Sequence, residues 1–134
     1  MPLKDIRTCF LIDDDIDDLE IFAMALHEVD ENIDLHSAMD CVRGLKELKE
    51  NKSFIPDYIF LDINMPKMNG LQCLPEIRKM DHLRNVKVIM YSTSSDEEIK
   101  RTTRQLGADD FFVKPPRLRL LVNHLHRILE KGTL

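Results

Sequence analysis

Hydrophobic positions along the chain fall into two kinds of segment that take turns. Short, nearly continuous apolar runs occupy Cys9-Phe10-Leu11-Ile12, Tyr58-Ile59-Phe60-Leu61, Val86-Lys87-Val88-Ile89-Met90-Tyr91 and Phe111-Phe112-Val113. Runs of this length, bounded by turn residues, predict buried strands. The stretch from Ile33 to Ala38 alternates and predicts an outer strand. Between them, apolar residues recur every three to four positions, the spacing of an amphipathic helix. The first helix spans about 15–29, with Ile16, Leu19, Ala23 and Leu26 inward. The second starts at the capping residue Asp40, with Val42, Leu45 and Leu48 inward and Lys46, Glu47, Lys49 and Glu50 outward. The third covers about 70–80 on Leu74 and Ile77. Pro75 lies inside it and predicts an irregular first turn or a later start. The fourth, 97–106, is capped by Asp96 and ended by Gly107. Its stripe is thin, Ile99 and Leu106, so it is expected to be the least firmly held. The last, about 117–131, carries Leu118, Leu121, Val122, Leu125 and Ile128, and a short tail follows.

Strand and helix alternating five times imply a parallel sheet covered on both faces. In such a sheet ligands bind beyond the carboxyl ends of the strands. The first strand runs into Asp13 and Asp14, the third into Asp62, the fourth into Ser92 and Thr93, the last into Lys114. If all strands are parallel, these groups share one rim. The loop Met65-Pro66-Lys67-Met68-Asn69-Gly70 follows Asp62; Pro66 fixes one φ, and Asn69-Gly70 permits a sharp or left-handed turn. Asp15, Asp17 and Asp18 read most simply as acids favoured by a helix N-terminus. That account does not cover Asp13 and Asp14, adjacent carboxylates at a strand exit that repel when unpaired.

The chain has 134 residues, the size of one domain with a proper core. Its net charge of −5 gives nucleic-acid binding no electrostatic support. No apolar run is long enough to span a bilayer, and Met1-Pro2-Leu3-Lys4-Asp5 lacks a signal-peptide pattern, so a cytoplasmic location is expected. Cys9, Cys41 and Cys73 are odd in number and far apart, which suits reduced core residues rather than a disulfide or zinc set.

Clustered carboxylates need a cation. Oxygen ligands without His or Cys favour a hard ion, here Mg²⁺. Lys114 adds a second positive charge, and together they form a receptacle for a phosphoryl group. Asp62 is then the candidate nucleophile, since Asp forms aspartyl-phosphates. The metal and Lys114 would hold the equatorial oxygens, with the Ser92 hydroxyl as a further donor.

The residues Phe10-Leu11-Ile12-Asp13-Asp14-Asp15, Phe60-Leu61-Asp62-Ile63-Asn64-Met65-Pro66-Lys67-Met68-Asn69-Gly70, Met90-Tyr91-Ser92-Thr93 and Gly107-Ala108-Asp109-Asp110-Phe111-Phe112-Val113-Lys114-Pro115 occur in this order at the strand ends. With them the chain resembles the receiver domain of bacterial two-component response regulators, over nearly its whole length. The resemblance implies a flavodoxin-like (βα)5 fold of order 2-1-3-4-5. It implies that Asp62 accepts phosphate from a sensor histidine kinase or a histidine phosphotransfer protein. Asp13, Asp14, Asp62 and the backbone carbonyl of Asn64 would hold Mg²⁺. Lys114 would pair with the phosphoryl oxygens, across a cis bond to Pro115. Ser92 would contact the phosphate, Phe111 would turn inward as an aromatic switch, and Asn64 and Ser94 would influence the phosphate's lifetime. The signalling surface would be helix 97–106 with the last strand and last helix, where Lys100, Arg101, Arg104, Arg117 and Arg119 lie, facing a downstream protein or a second copy. The expected whole is a stand-alone signalling protein over 1–134 with no output domain, and not an enzyme.

Thr93 stands where many relatives have a smaller residue, which leaves open which of Ser92 and Thr93 does the contacting. Pro116 stands where an aromatic is common. Two other readings compete. Ile12-Asp13-Asp14-Asp15 fits the Asp-x-Asp motif of haloacid-dehalogenase-like phosphatases, with Asp13 as nucleophile and Asp15 as acid/base; that reading leaves Asp62 without a role. A receiver-shaped module that is never phosphorylated would have no physical need for the full acidic and Lys set.

Overall fold

The computed structural model describes residues 6–94 and 96–131. Strands β1 (Thr8–Ile12), β2 (Asp34–Ala38), β3 (Tyr58–Asp62), β4 (Lys87–Ser92) and β5 (Asp110–Val113) alternate with helices α1 (Ile16–Val29), α2 (Cys41–Glu50), α3 (Gly70–Arg78), α4 (Glu97–Gln105) and α5 (Leu118–Lys131). All pairings are parallel, and the order β2-β1-β3-β4-β5 is the one expected. A 3-10 turn at Asp81–Leu83, not anticipated, joins α3 to β4. The tail 132–134 and residues 1–5 lie outside the described residues.

Side chains alternate across the sheet, so each strand feeds two cores. Cys9, Leu11, Tyr58, Phe60, Ile89, Tyr91 and Phe112 face α1 and α5; Phe10, Ile12, Ile59, Leu61, Val88 and Met90 face α2 and α3. The continuous apolar runs follow from this double burial. The cysteines are free thiols, all buried.

The helices turn differently from the expected phase in two places. In α1, Ile16 is 58% exposed and Ala23 is exposed as well, while Phe22, Ala25 and Leu26 are buried. Phe22 packs edge-on against Phe60 at 4.9 Å and Tyr91 at 5.6 Å. Burying a Phe ring stabilises by about 2–3 kcal/mol, more than Ala23 offers, so the ring decides which face turns inward. In α2, Val42 is 59% exposed, and Cys41, Gly44 and Leu48 face the sheet. Helix α3 is regular from its first residue despite Pro75. Asn69 and Gln72 form a reciprocal capping box that secures the first turn, and Pro75 falls beyond it. The left-handed residue of the preceding loop is Lys67, at φ 67, rather than Asn69 or Gly70. Asn69 is extended instead, its side chain spent on the cap.

Helix α4 buries one residue, Thr103, with Ile99 and Leu106 half-buried, which matches its thin stripe. The edge beside it is tied down by Arg78. That guanidinium donates to the carbonyls of Gly107 (2.8 Å) and Val86 (2.9 Å) and pairs with Asp109 (2.7 Å). Gly107, at φ 108, closes against the Arg78 side chain at a backbone angle that favours glycine.

Candidate functional site

Parallel pairing brings the carboxyl ends of β1, β3, β4 and β5 to one rim. By the same alternation, Asp13 continues the α1-facing side of β1 after Leu11, and Asp62 that of β3 after Phe60. Both carboxylates are buried. Asp14 lies beside them, half-buried. Asp13, Asp14 and Asp62 each offer one oxygen within 4.8 Å of the others.

Lys114 follows β5 on the same side. Its ammonium lies 2.8 Å from Asp13 Oδ2, 2.7 Å from Asp18 Oδ2 and 3.4 Å from Asp62 Oδ2, and sits 4.9 Å from the centre of the Tyr91 ring. Its backbone N–H donates to the Ser92 carbonyl at 2.6 Å, which fixes the start of the segment after β5. The Lys114–Pro115 peptide is trans, not cis as the resemblance implied; the described residues contain no cis bond. Trans is the form an X–Pro bond prefers by about 0.5–1 kcal/mol.

Turns after the strands aim the acids. The Asp15 N–H donates to Asp13 Oδ1 at 3.0 Å, and the Asn64 N–H donates to Asp62 Oδ1 at 3.2 Å. Asp15 itself caps α1, accepting from the N–H groups of Asp17 and Asp18. Ser92 is fully buried, and its hydroxyl accepts from the Ser94 N–H at 3.2 Å. Thr93 is exposed, with its hydroxyl 3.5 Å from the Asn64 side-chain nitrogen. Phe111 pairs in register with Met90, half-buried on the α4 side under the Lys100 ammonium, 5.7 Å from the ring centre.

Burial is the leading cause of the charge state here. It pushes Asp62 up to about 7, helped by the nearby Asp13 and opposed by Lys114 and the Asn64 N–H. Burial also raises Asp13, against its bonds to Lys114 and Asp15. Burial alone would lower Lys114, but its hydrogen bonds to Asp13 and Asp18 outweigh it and hold the amine above its ordinary range. One ammonium leaves this carboxylate pocket short of positive charge. An all-oxygen donor set in that condition fits a hard divalent cation.

A pH dependence follows. A carboxyl raised to about 7 binds its proton more tightly in the folded protein than in the unfolded chain, whose value lies near 4. Its stabilising contribution is complete below about pH 4 and is lost as pH rises through about 7. In EDTA, the urea midpoint will therefore be higher at about pH 5 than at about pH 8, and Mg²⁺ will reduce the difference. A midpoint that climbs with pH in EDTA would contradict the strained carboxylate pair.

Asp18 is the residue that sequence reasoning assigned elsewhere. In sequence it reads like Asp15 and Asp17, as an acid favoured by the helix dipole, yet its carboxylate faces Lys114 rather than solvent alone. Its position on the α1 face next to the rim could have been found only by knowing how α1 lies on the sheet.

Residues 9–126 match the family model of the response regulator receiver domain. The chain is 36% identical over 91% of its length to the transcriptional regulatory protein CpxR homolog of Haemophilus influenzae, spanning 50% of that protein. It is 29% identical to the chemotaxis protein CheY of Thermotoga maritima, over 84% of this chain and 92% of that one. Among solved structures, the phosphorylated cyanobacterial phytochrome response regulator RcpA superposes with a TM-score of 0.84 at 22% identity, covering 96% of each chain. The chain thus spans about half the length of some curated relatives and nearly all of others. No helix among the described residues is long and apolar enough to cross a membrane.

Proposed function

The chain belongs to the response regulator receiver domain family, and from that premise we propose that Asp62 is its phosphoryl acceptor. The observation that carries this reading is the meeting of Asp13, Asp14, Asp62 and Lys114 at one rim. Proteins of this family are signalling proteins rather than enzymes in general, and phosphorylation is how they signal.

An oxygen of the Asp62 carboxylate attacks phosphorus in a phosphohistidine of a sensor kinase or phosphotransfer protein. The O–P bond forms as the P–N bond breaks, and the imidazole leaves with its electron pair and takes up a proton. Lys114 faces the charge that gathers on the phosphoryl oxygens. The Ser92 hydroxyl is the first choice for a further contact, with the exposed Thr93 at the mouth of the site. Asp13, Asp14 and Asp62, with the backbone carbonyl of Asn64, are the residues that would hold Mg²⁺. When bound, such an ion neutralises the acids and withdraws charge from the transferred group.

The switch uses the α4 side. A phosphorylated Asp62 carries about −1.5 to −2 charge and more acceptor oxygens than a carboxylate. Ser92 moves toward them, and Phe111, half-buried on the same side as Met90, fills the space left. Helix α4 is thinly anchored, so the α4-β5-α5 face shifts population toward a second arrangement. Its cations, among them Lys100 and Arg104, suit an acidic protein partner or a second copy; Arg119 turns instead toward α1, where it pairs with Glu28 at 3.4 Å.

The phosphatase reading needs Asp15 as a free acid/base. Asp15 is instead exposed and committed to the α1 cap. The deciding measurement is wild-type protein treated with acetyl phosphate in Mg²⁺ or EDTA, followed by peptide mass mapping. A metal-dependent label on Asp62 is expected. A label on Asp13, or none, would sink the proposal. Beryllofluoride with Mg²⁺ followed by sedimentation tests whether a second copy is the partner.

A further inference from the structure

We propose that Asp18 is a positioning residue that parks the Lys114 ammonium away from Asp62 until a phosphoryl group claims it. The inference rests on the reading of Asp62 as acceptor.

An ammonium has three donors. Here they meet three carboxylates, at 2.7 Å for Asp18, 2.8 Å for Asp13 and 3.4 Å for Asp62. The amine therefore sits toward the α1 side, and the longest contact is the one to the reacting residue. Asp18 is not needed by the helix it sits on. Asp15 already caps α1, and Asp17 stands in the same first turn to meet the dipole. Asp13 is bound on both sides, by Lys114 at one oxygen and by the Asp15 N–H at the other, and it is fully buried. It belongs to the acid set suited to a cation. If a cation engages Asp13, Asp18 becomes the acceptor that competes with the phosphoryl oxygens for Lys114.

The hold is built to be released. The Lys114 side chain is 9% exposed but that of Asp18 is 29% exposed, so water can take over the Asp18 carboxylate when the amine swings away. A partly solvated pair is worth little compared with a buried one. Asp18 then acts as a weak restraint on Lys114 rather than a lock.

The test compares Asp18→Asn, Asp18→Ala and Asp18→Glu with wild type in two ways. In metal-free crystals of Asp18→Asn, the distance from Lys114 Nζ to Asp62 should fall from 3.4 Å into hydrogen-bond range, below about 3.0 Å. With Mg²⁺ present, beryllofluoride titration followed by NMR should show binding tighter by about three- to tenfold in the Asn and Ala variants. Asp18→Glu, which restores the acceptor, should return the constant toward wild type. A purely structural role would lower stability without tightening beryllofluoride. Unchanged or weaker binding in both neutral variants would overturn the parking role while leaving Asp62 in place. Beryllofluoride binding that survives Asp62→Asn would overturn the acceptor reading and this proposal with it.

Discussion

An Asp62→Asn chain will take no phosphoryl group from acetyl phosphate, and in EDTA it will melt above the wild-type protein. The two effects have one cause. Asp62 is buried, and its ionised form is disfavoured there first by desolvation and then by Asp13. Lys114 offsets part of this from 3.4 Å, but the carboxyl is still pushed up to about 7. An amide of the same shape removes the charge and keeps an oxygen for the Asn64 N–H. Each tenfold displacement of the proton equilibrium is worth about 1.4 kcal/mol, so relief on the order of 2 kcal/mol near pH 8 is expected. For a domain of this size that is a rise in Tm of about 5–8 °C. Mg²⁺ will stabilise wild type and will do much less for the variant, which lacks one of the three carboxylates. A variant that melts lower in EDTA would mean the Lys114 attraction dominates after all. A variant that still labels would remove the acceptor.

Gly70→Ala will be the most damaging small substitution in the loop after β3. Gly70 is buried at the first position of α3, and its N–H donates to the Ile63 carbonyl at 3.0 Å. A Cβ there would press on the Asp62 carbonyl oxygen and lie 2.8 Å from the Ile63 Cα. Both are backbone, so neither can rotate away. The loop 63–69 would have to lift from β3, and the Asn64 N–H would leave Asp62 with it. Overpacking costs about 1–3 kcal/mol where side chains can yield, and about 3 kcal/mol or more is expected here. Urea unfolding measures that loss. Acetyl phosphate labelling of the folded fraction should also slow, because the acceptor's own strand end is displaced. A variant with wild-type stability would show that the close approach of α3 to β3 is not required.

Much of this was legible in the one-dimensional pattern, for a physical reason. A strand buried on both faces must be apolar throughout, so β1, β3 and β4 stand out as continuous runs, and a charge at their ends is conspicuous. Asp13, Asp14 and Asp62 stand out in that way, Lys114 follows the shorter and only partly buried run of β5, and parallel pairing brings all four to one rim. The capping residues Asp40 and Asp96 act within a few positions of themselves, so local chemistry suffices to read them, whereas the caps at Asp15 and Asn69 are masked in the sequence by a helix-dipole reading and a turn reading.

Other features depend on how elements lie against one another. The inward face of α1 was settled by Phe22 finding Phe60 and Tyr91 across the sheet, which no helical spacing encodes. The outward turn of Val42 is of the same kind. So is the role of Gly70, whose value lies in the nearness of another segment's backbone rather than in its own φ. The partner of Asp18 is the clearest case. Its carboxylate and the Lys114 ammonium are separated by most of the chain and meet at 2.7 Å only because α1 begins at the rim where β5 runs out into Lys114. Local pattern determined the elements, their alternation and the charged strand ends, because burial and capping are short-range demands. The distances among those charges, and hence which acid holds the amine, were decided by packing alone.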